Sequence, residues 1–454
     1  MRGNSVERVT EQNTDHSAPD SAAAAAPTDA QRHGPRQVIA ASVGNAVEWY
    51  DWYTYSFLAV FFSDQIFPGD DPVAKLLGSF IVFAASFLLR PIGGLVIGAI
   101  ADRVGRRNTL TVTILLIGLG SLIVGLTPSF EQAGILAPIV LIIGRVISGL
   151  SIGGEFAANT TFLVESAPIG RRGLFSSFQY VSTTIGQLIA SGLAAVLVAT
   201  LGEGGMNDGG WRIPFIFGAV LSLVGLLIRR GAFETAAVAS ADEQGAASRR
   251  PRLFEALVRF PKQSLLIVGI TIAGTIGYYT WTTYLPTYAE QNGGVDAGQA
   301  LAVSTIGLFV FAALQPVAGI LSDKVGRKPL LIGFAAILAI GIVPALAFLR
   351  SGPSFGGMLV VVLIGMVVLS GFTAISAAVN AELFPARVRA AGVGFPYSVA
   401  VALFGGTAPA IGTAFQQAGL DSAFGWYVAG LAVISLVVYV FLPETAHKKL
   451  DLGR

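Results

Sequence analysis

Apolar residues along this chain run in long blocks separated by short polar breaks. A helix that crosses a hydrocarbon core of about 30 Å needs roughly 20 mainly apolar residues. Twelve blocks reach that length, near residues 38–67, 74–100, 109–127, 134–164, 173–201, 211–229, 263–289, 298–321, 330–349, 356–383, 390–416 and 422–442. The pattern predicts an all-α, polytopic membrane protein with twelve transmembrane helices. Glycine, 55 in the chain, is abundant within the blocks, which suits close helix contact and hinge bending in a bilayer.

Two polar stretches organise the rest. Residues 1–36 are rich in Ala, Ser, Asp, Thr and Gln, with no apolar core following basic residues, so they read as a disordered cytoplasmic leader rather than a cleaved signal peptide. The longest internal polar stretch, 231–262, contains GAFETAAVASADEQGAASRRPR. It reads as a cytoplasmic linker between an N-terminal six-helix half, 37–230, and a C-terminal half, 263–443, which leaves 444–454 as a short cytoplasmic tail. Loops after even-numbered helices hold most of the Lys and Arg, including Arg103, Arg106, Arg107, Arg171, Arg172, Lys324, Arg327, Lys328, Arg387 and Arg389, whereas loops after odd-numbered helices hold little beyond Lys75, Arg212 and Arg350. The positive-inside rule then places both termini in the cytoplasm of a multi-pass plasma (inner) membrane protein, as an even helix count requires.

Composition narrows the function classes. Of 454 residues 53% are hydrophobic and only 12% charged, against roughly 25% charged in soluble domains, and mean hydropathy is +0.69. A formal net charge of +2 offers no bulk attraction for nucleic acid. Cysteine is absent, which removes disulfides, thiolate chemistry and thiolate metal sites. The three histidines, His16, His33 and His447, lie in the polar tails, so proton handling within the membrane must use carboxylates. No P-loop pattern occurs and no metal-ligand cluster is present, so neither a membrane enzyme nor a receptor is supported, and no cofactor is expected.

The two halves repeat each other. GAIADRVGRR (Gly98 to Arg107) and GILSDKVGRK (Gly319 to Lys328) share one pattern, and Glu165 with Arg172 matches Glu382 with Arg389. Two motifs recurring in register indicate duplicated six-helix halves, a transporter property. These paired motifs resemble the major facilitator superfamily, and the resemblance extends from about residue 38 to the end. GNAVEWYDWYTYS, RPIGGLVIGAIADRVGRR, RVISGLSIGGEF and AELFPARVRAAGVG are similar to its metabolite:proton symporter family. FQYVSTTIGQLIA, YYTWTTYLPTYAE and GGWRIPFIFGAV are similar to the members of that family that carry 2-oxoglutarate. The resemblance implies symport of a small carboxylate with protons, with other solutes of the family, such as citrate, shikimate, proline or betaine, as alternatives. A proton-driven drug exporter would predict a less basic cavity.

Charge inside the blocks marks candidate chemistry, because an ion near the bilayer centre costs at least about 2.5 kcal/mol. Five such residues, Glu48, Asp51, Arg90, Arg145 and Glu155, all lie in the N-terminal half. Glu48 and Asp51, three apart, share a helix face; two close carboxylates favour protonation of one of them, which makes Asp51, then Glu48, the proposed proton carriers, with an arginine partner as the competing structural role. Arg90 offers a bidentate donor fork for a substrate carboxylate, or else an ion pair with Asp51 or Glu48. Arg145 matches the superfamily's helix 4 arginine motif, which the resemblance links to proton coupling, although Ser148 stands where that motif has glutamine. Glu155 is either a titrating carboxylate or an arginine's partner. Uncharged polarity in Gln179, Tyr180, Gln187, Tyr278, Tyr279, Tyr284, Asn380 and Tyr397 could line a carboxylate cavity, against a bland reading of bundle packing for most aromatics. Asp102, Arg103, Arg106, Glu165, Arg172, Asp323, Arg327, Glu382 and Arg389 are expected to form an inner gate, with Asp102 pairing with Arg106 or facing a helix N-terminus of the other half.

Overall fold

The computed structural model describes residues 35–93, 106–151, 160–161, 163–165, 167–168, 170–236, 258–385 and 388–446. Long helices follow one another, with no strand among the described residues: α1 (Pro35–Ile66), α2 (Pro72–Gly93), α3 (Arg106–Gly125), α4 (Leu136–Ser151), α5 (Arg172–Gly205), α6 (Arg212–Ala236), α7 (Pro261–Gly293), α8 (Ala297–Val325), α9 (Arg327–Arg350), α10 (Phe355–Glu382), α11 (Arg389–Ala400, carried through a π segment at Val401–Gly405 to Ala408–Gln417) and α12 (Ala423–Phe441). Eight spans are long and apolar enough to cross a membrane, and the shorter apolar helices Thr111–Gly125, Leu136–Ser151 and Arg212–Leu227 supply three more. The remaining one, α1, is made less apolar by its carboxylates and hydroxyls. Each helix falls on one of the twelve blocks.

Local chemistry ends the helices where polarity breaks the blocks. Asp71 caps α2 by accepting from the Val73 N–H at 2.9 Å with Pro72 at the first helical position, an arrangement that satisfies an orphan donor. Asp296 caps α8 through Gln299 N–H at 2.8 Å, and Ser354 caps α10. At the linker the structure departs from expectation: α6 runs on to Ala236, six residues into the stretch read as linker, and α7 starts at Pro261. Ala and Glu in GAFETA are good helix formers, so polarity alone did not stop α6. The leader and the linker centre lie outside the described residues.

Within the first half α1 packs on α2, α5 and α6, and α3 packs on α4 and α6; within the second, α7 packs on α11 and α12, and α9 on α10 and α12. The halves meet along α5 with α8 and α10, and along α2 with α11. Glycine permits the α5–α8 crossing: a Cβ on Gly173 would stand 2.5 Å from the Gly319 carbonyl oxygen, and one on Gly319 would stand 2.6 Å from that of Gly173. The interior is aromatic, with Trp52, Tyr53, Tyr55, Phe62, Phe80, Phe83 and Phe87 at most 1% exposed, whereas Leu265, Phe309, Ile340 and Phe441 project outward. An apolar outer belt over a partly polar interior is the inverse of a soluble protein and matches a lipid solvent.

Candidate functional site

The polar centre is built on one face of α1. Helical spacing places Glu48 and Asp51 a turn apart among Trp49, Trp52, Tyr53 and Tyr55, and each carboxylate is engaged by its own arginine. Arg145 of α4 donates through Nη1 to Asp51 Oδ2 at 2.8 Å. Arg90 of α2 donates through Nη2 to Glu48 Oε1 at 3.3 Å. Of the roles the sequence left open for the two acids, proton carrier or partner of an arginine, the contacts supply the arginine partner for each, as two separate ion pairs. Aromatic rings complete both sites. The Arg145 guanidinium lies 4.6 Å from the ring centroids of both Trp52 and Tyr55, and that of Arg90 lies 5.1, 5.5 and 4.9 Å from Trp49, Trp52 and Phe87. Such faces stabilise a desolvated cation.

The pairs differ in closure. Arg145 is 0% exposed and Arg90 7%, so both are buried and the first is the more completely enclosed. Asp51 Oδ1, and Nε and Nη2 of Arg145, have no hydrogen-bond partner. Removing one member of such a pair leaves a lone buried charge, which costs more than the pair contributes.

Opposite α1 stand the hydroxyls of the C-terminal half. Tyr53 donates to Tyr278 at 2.7 Å, Tyr278 donates to Gln187 Oε1 at 3.3 Å, and Gln187 Nε2 donates to the Thr282 carbonyl at 2.7 Å. This chain joins α1, α5 and α7 across the interface of the halves. Tyr180 packs edge-on against Tyr278, with centroids 5.2 Å apart, and its hydroxyl lies 3.4 Å from that of Tyr397. Asn45 donates to Ser182 at 2.8 Å, which fixes α1 on α5 beside buried Gln179. Tyr284 sits apart, with Thr413, Phe80 and Phe424. Asn380 also lies away from Arg90, two residues before Glu382 on α10, and both its side-chain polar atoms are buried without partners. Between α7, α9 and α10 a separate cavity of about 230 Å³ is lined by Gly277, Trp281, Phe334, Leu338, Gly341 and Gly365 among other apolar residues; it offers a carboxylate no donor.

A second polar cluster closes one end of the bundle. Asp323, at the end of α8, accepts the backbone N–H groups of Gly173 and Leu174 at 2.8 and 3.0 Å, so it caps α5 of the other half. Arg171, at the N-cap position, makes no side-chain cap, and the carboxylate also meets the positive end of the helix dipole. Arg327 donates to Asp323 at 2.8 Å and lies 3.5 Å from Glu382, which also pairs with Arg172 at 3.3 Å. Arg389 pairs with Glu165 and donates to the Ala381 carbonyl at 2.9 Å. Asp102, Arg103 and Glu155 lie outside the described residues, as does the side chain of Arg106; among the described residues it is Asp323, the repeat-mate of Asp102, that faces a helix N-terminus of the other half.

Sequence reasoning missed three members of these clusters. Tyr53 was masked by the aromatic run around it. Glu444 and Thr445 fall in the stretch assigned to a tail, yet Glu444 accepts the N–H groups of Arg327 and Lys328, both at 3.0 Å, and so caps α9, while the Thr445 hydroxyl donates to Glu382. Partial burial pushes the Glu444 carboxyl up, but four backbone donors, from Arg327, Lys328, Thr445 and Ala446, outweigh it and hold the group below the usual carboxylate range. The only legible signal was a Pro-Glu-Thr at the end of the last apolar block.

The sequence profile of the sugar (and other) transporter family matches residues 37–235 and 230–452. The chain belongs to that family. It is therefore a polytopic transporter of the major facilitator superfamily, in agreement with the paired loop motifs. It is similar to the alpha-ketoglutarate permease of Escherichia coli (strain K12), 38% identical with 91% of this chain and 93% of the relative covered. It is also similar to the citrate-proton symporter of Klebsiella pneumoniae, 32% identical with 92% and 94% covered. The xylose transporter XylE from E. coli, in a partially occluded inward open conformation, superposes with a TM-score of 0.70 at 20% identity, over 91% of this chain and 98% of that one. The transporter thus shares the XylE fold.

Proposed function

We propose that this transporter is a proton-coupled symporter of a small carboxylate, 2-oxoglutarate or a related dicarboxylate, that works by alternating access in the plasma membrane with both termini cytoplasmic. One observation carries the reading: α1 holds two buried acid–arginine pairs, and the more open one, at Arg90, faces the tyrosines of the other half. Arg90 then anchors one substrate carboxylate by its planar donor fork, while Tyr278, Tyr180 and Gln179 line the rest. Asp51 carries a proton and releases Arg145 when protonated. Similarity to a permease named for alpha-ketoglutarate and to a citrate-proton symporter supports both halves of this reading.

Energetics favour coupling. Moving one charge against the membrane potential costs about 2.3 kcal/mol per 100 mV, so entry of a dianion alone into an inside-negative cell is opposed. Protons carried on carboxylates offset that charge. The pairs that cross between halves, Arg172–Glu382, Arg389–Glu165 and Asp323 with the α5 N-terminus, form the inner gate and separate when the halves rock. Labelled 2-oxoglutarate uptake into proteoliposomes tests the reading: accumulation follows an imposed pH gradient, with loss in Arg90→Ala. Uptake that ignores both the gradient and Arg90 overturns it.

A further inference from the structure

We propose that the cavity between α7, α9 and α10 is a binding site for the end of a lipid acyl chain, and that a chain seated there holds the π segment of α7 in its present place. The site lies in the C-terminal half, apart from the acid–arginine pairs, and does not depend on the substrate assigned above.

The lining fixes the class of ligand. Its side chains are apolar except for the indole of Trp281, whose Nε1 already donates to the Val362 carbonyl at 3.1 Å. Water finds no partner on such walls; an apolar cavity of about 150 Å³ in a soluble protein stays dry and takes up benzene. The space here, about 230 Å³, is bordered by Gly277, Gly341, Ala345 and Gly365, and a Cβ on Gly341 would meet no atom within 4 Å. Small residues on three helices keep it open.

Position fixes the source of the ligand. The cavity runs inward from Ile337 and Ile364, 53% and 58% exposed, to Trp281, Leu338 and Leu369, all buried. Its mouth is thus continuous with the apolar belt that meets lipid, and all three helices are described along their whole length. Gly277, Leu338 and Leu369 fall near the middle of Pro261–Gly293, Arg327–Arg350 and Phe355–Glu382, which puts the cavity near the centre of a hydrocarbon core about 30 Å thick. Chain ends populate that depth, and headgroups stay outside it. A helix of another protein, roughly 10 Å across, is too wide for a recess of this volume, whereas a single chain end enters and gains dispersion contacts on its walls.

The back wall gives the site its consequence. Trp281 belongs to the five-residue π segment Thr280–Tyr284, a rare geometry that recurs at functional sites. Its indole lies so close on Gly365 that a Cβ there would stand 1.8 Å from it. The same stretch of α7 carries contacts to the other half, through Tyr278 with Tyr53 and Gln187 and through the Thr282 carbonyl with Gln187. The cavity adjoins the seated indole, so a ring leaving Gly365 and a chain end compete for one space. A ligand shifts an equilibrium by binding one state better than the other; the chain end binds the seated state and so holds α7 on α1 and α5.

Tryptophan fluorescence of the full chain tests the site in bilayers of phosphatidylcholine brominated near the chain ends, because bromine quenches an indole on contact. Of the five tryptophans, Trp49, Trp52 and Trp211 are buried in the N-terminal half, and exposed Trp426 stands near the start of α12, within reach of bromine placed near the glycerol instead. Trp281→Phe is expected to remove most of the chain-end quenching. Gly341→Leu fills the cavity from its wall and is expected to remove the same share with Trp281 still present, while quenching by glycerol-end bromine is unchanged; Ala345→Phe serves where that variant does not fold. A second arm labels a single cysteine near Gly173 in bilayers of straight-chain lipid and of lipid with bulky, branched chain ends. The labelling rate is expected to differ by roughly twofold or more in wild type and to be equal in Gly341→Leu. Chain-end quenching that either Trp281→Phe or Gly341→Leu leaves intact overturns the site, and a wild-type labelling rate indifferent to the chain end overturns the hold on α7.

Discussion

Two clusters of arginine and carboxylate residues hold this transporter, and they differ in what they join. At the centre, Glu48–Arg90 and Asp51–Arg145 connect helices of one half, and both pairs are buried. At the gate end, Arg172–Glu382, Arg389–Glu165 and the Asp323 cap on α5 connect opposite halves, with the Glu165 side chain 36% exposed. A pair within a half survives a rigid-body rocking of the halves, whereas a pair between halves must break. Under the proposed mechanism the same chemistry would store charge in one place and conformation in the other, with burial setting the stakes. Losing a partner in the buried centre strands an ion; losing one between the halves would, under the proposed gating, admit water.

Mutation of the sealed pair is the severest test of that contrast. Asp51→Ala leaves Arg145 charged and unpaired in the core, with an expected cost of about 3–5 kcal/mol, read as a large fall in thermal stability and loss of transport. Asp51→Asn keeps the shape and is expected to retain exchange without gradient-driven accumulation. A mild Asp51→Ala phenotype would show that the centre is not dry. At the gate, Glu382→Gln weakens contacts to Arg172, Arg327 and Thr445, with an expected shift of about 1.5–3 kcal/mol toward the open gate and little change in thermal unfolding. Because the chain lacks cysteine, a single cysteine placed on α5 near Gly173 would report this as faster labelling. Equal labelling would remove the gate role.

Gly326 sharpens the comparison at smaller scale. It alone joins α8 to α9, at φ 107°, and a Cβ there would lie 2.6 Å from Glu444 Oε2. Gly326→Ala is expected to cost about 1–3 kcal/mol and to open the gate in the same labelling assay without altering substrate affinity in the open state. The smallest expected effect concerns pH. The Glu444 carboxyl is depressed in the folded protein, so its contribution is fully present above the ordinary carboxylate pKa of about 4.3 and is lost only as pH falls through its lowered value. Labelling should therefore not change between pH 7.5 and 5.5 through this cap, and Glu444→Gln should leave the pH profile in that window unaltered while raising its baseline.

How much was legible follows from the range of each interaction. Helix blocks were readable because the bilayer imposes a length, and each of the twelve long helices met its block. The chemical actors were readable because charge is costly in lipid, which singled out Glu48, Asp51, Arg90 and Arg145 before any contact was known. Their pairing was not readable. Glu48 and Arg90 are 42 residues apart and Asp51 and Arg145 are 94 apart, so the match depends on how α2 and α4 sit against α1. The repeat pointed to a helix-end role for Asp102, which lies outside the described residues; among the described residues Asp323 performs that role, because its loop meets the N-terminus of α5. Glu444 was invisible for the same reason, since a glutamate after the last block carries no mark of the helix it caps 117 residues earlier.

Sequence alone determined the membrane class, the twelve-helix count, the duplicated halves and the list of ions that lipid would not tolerate without purpose, because hydrophobic length and the cost of buried charge are local properties. Tertiary structure decided which arginine meets which acid, which pairs lie within a half and which between halves, and that Arg145 is the more completely enclosed of the two central arginines, because those depend on distances of a few ångströms between segments far apart in the chain.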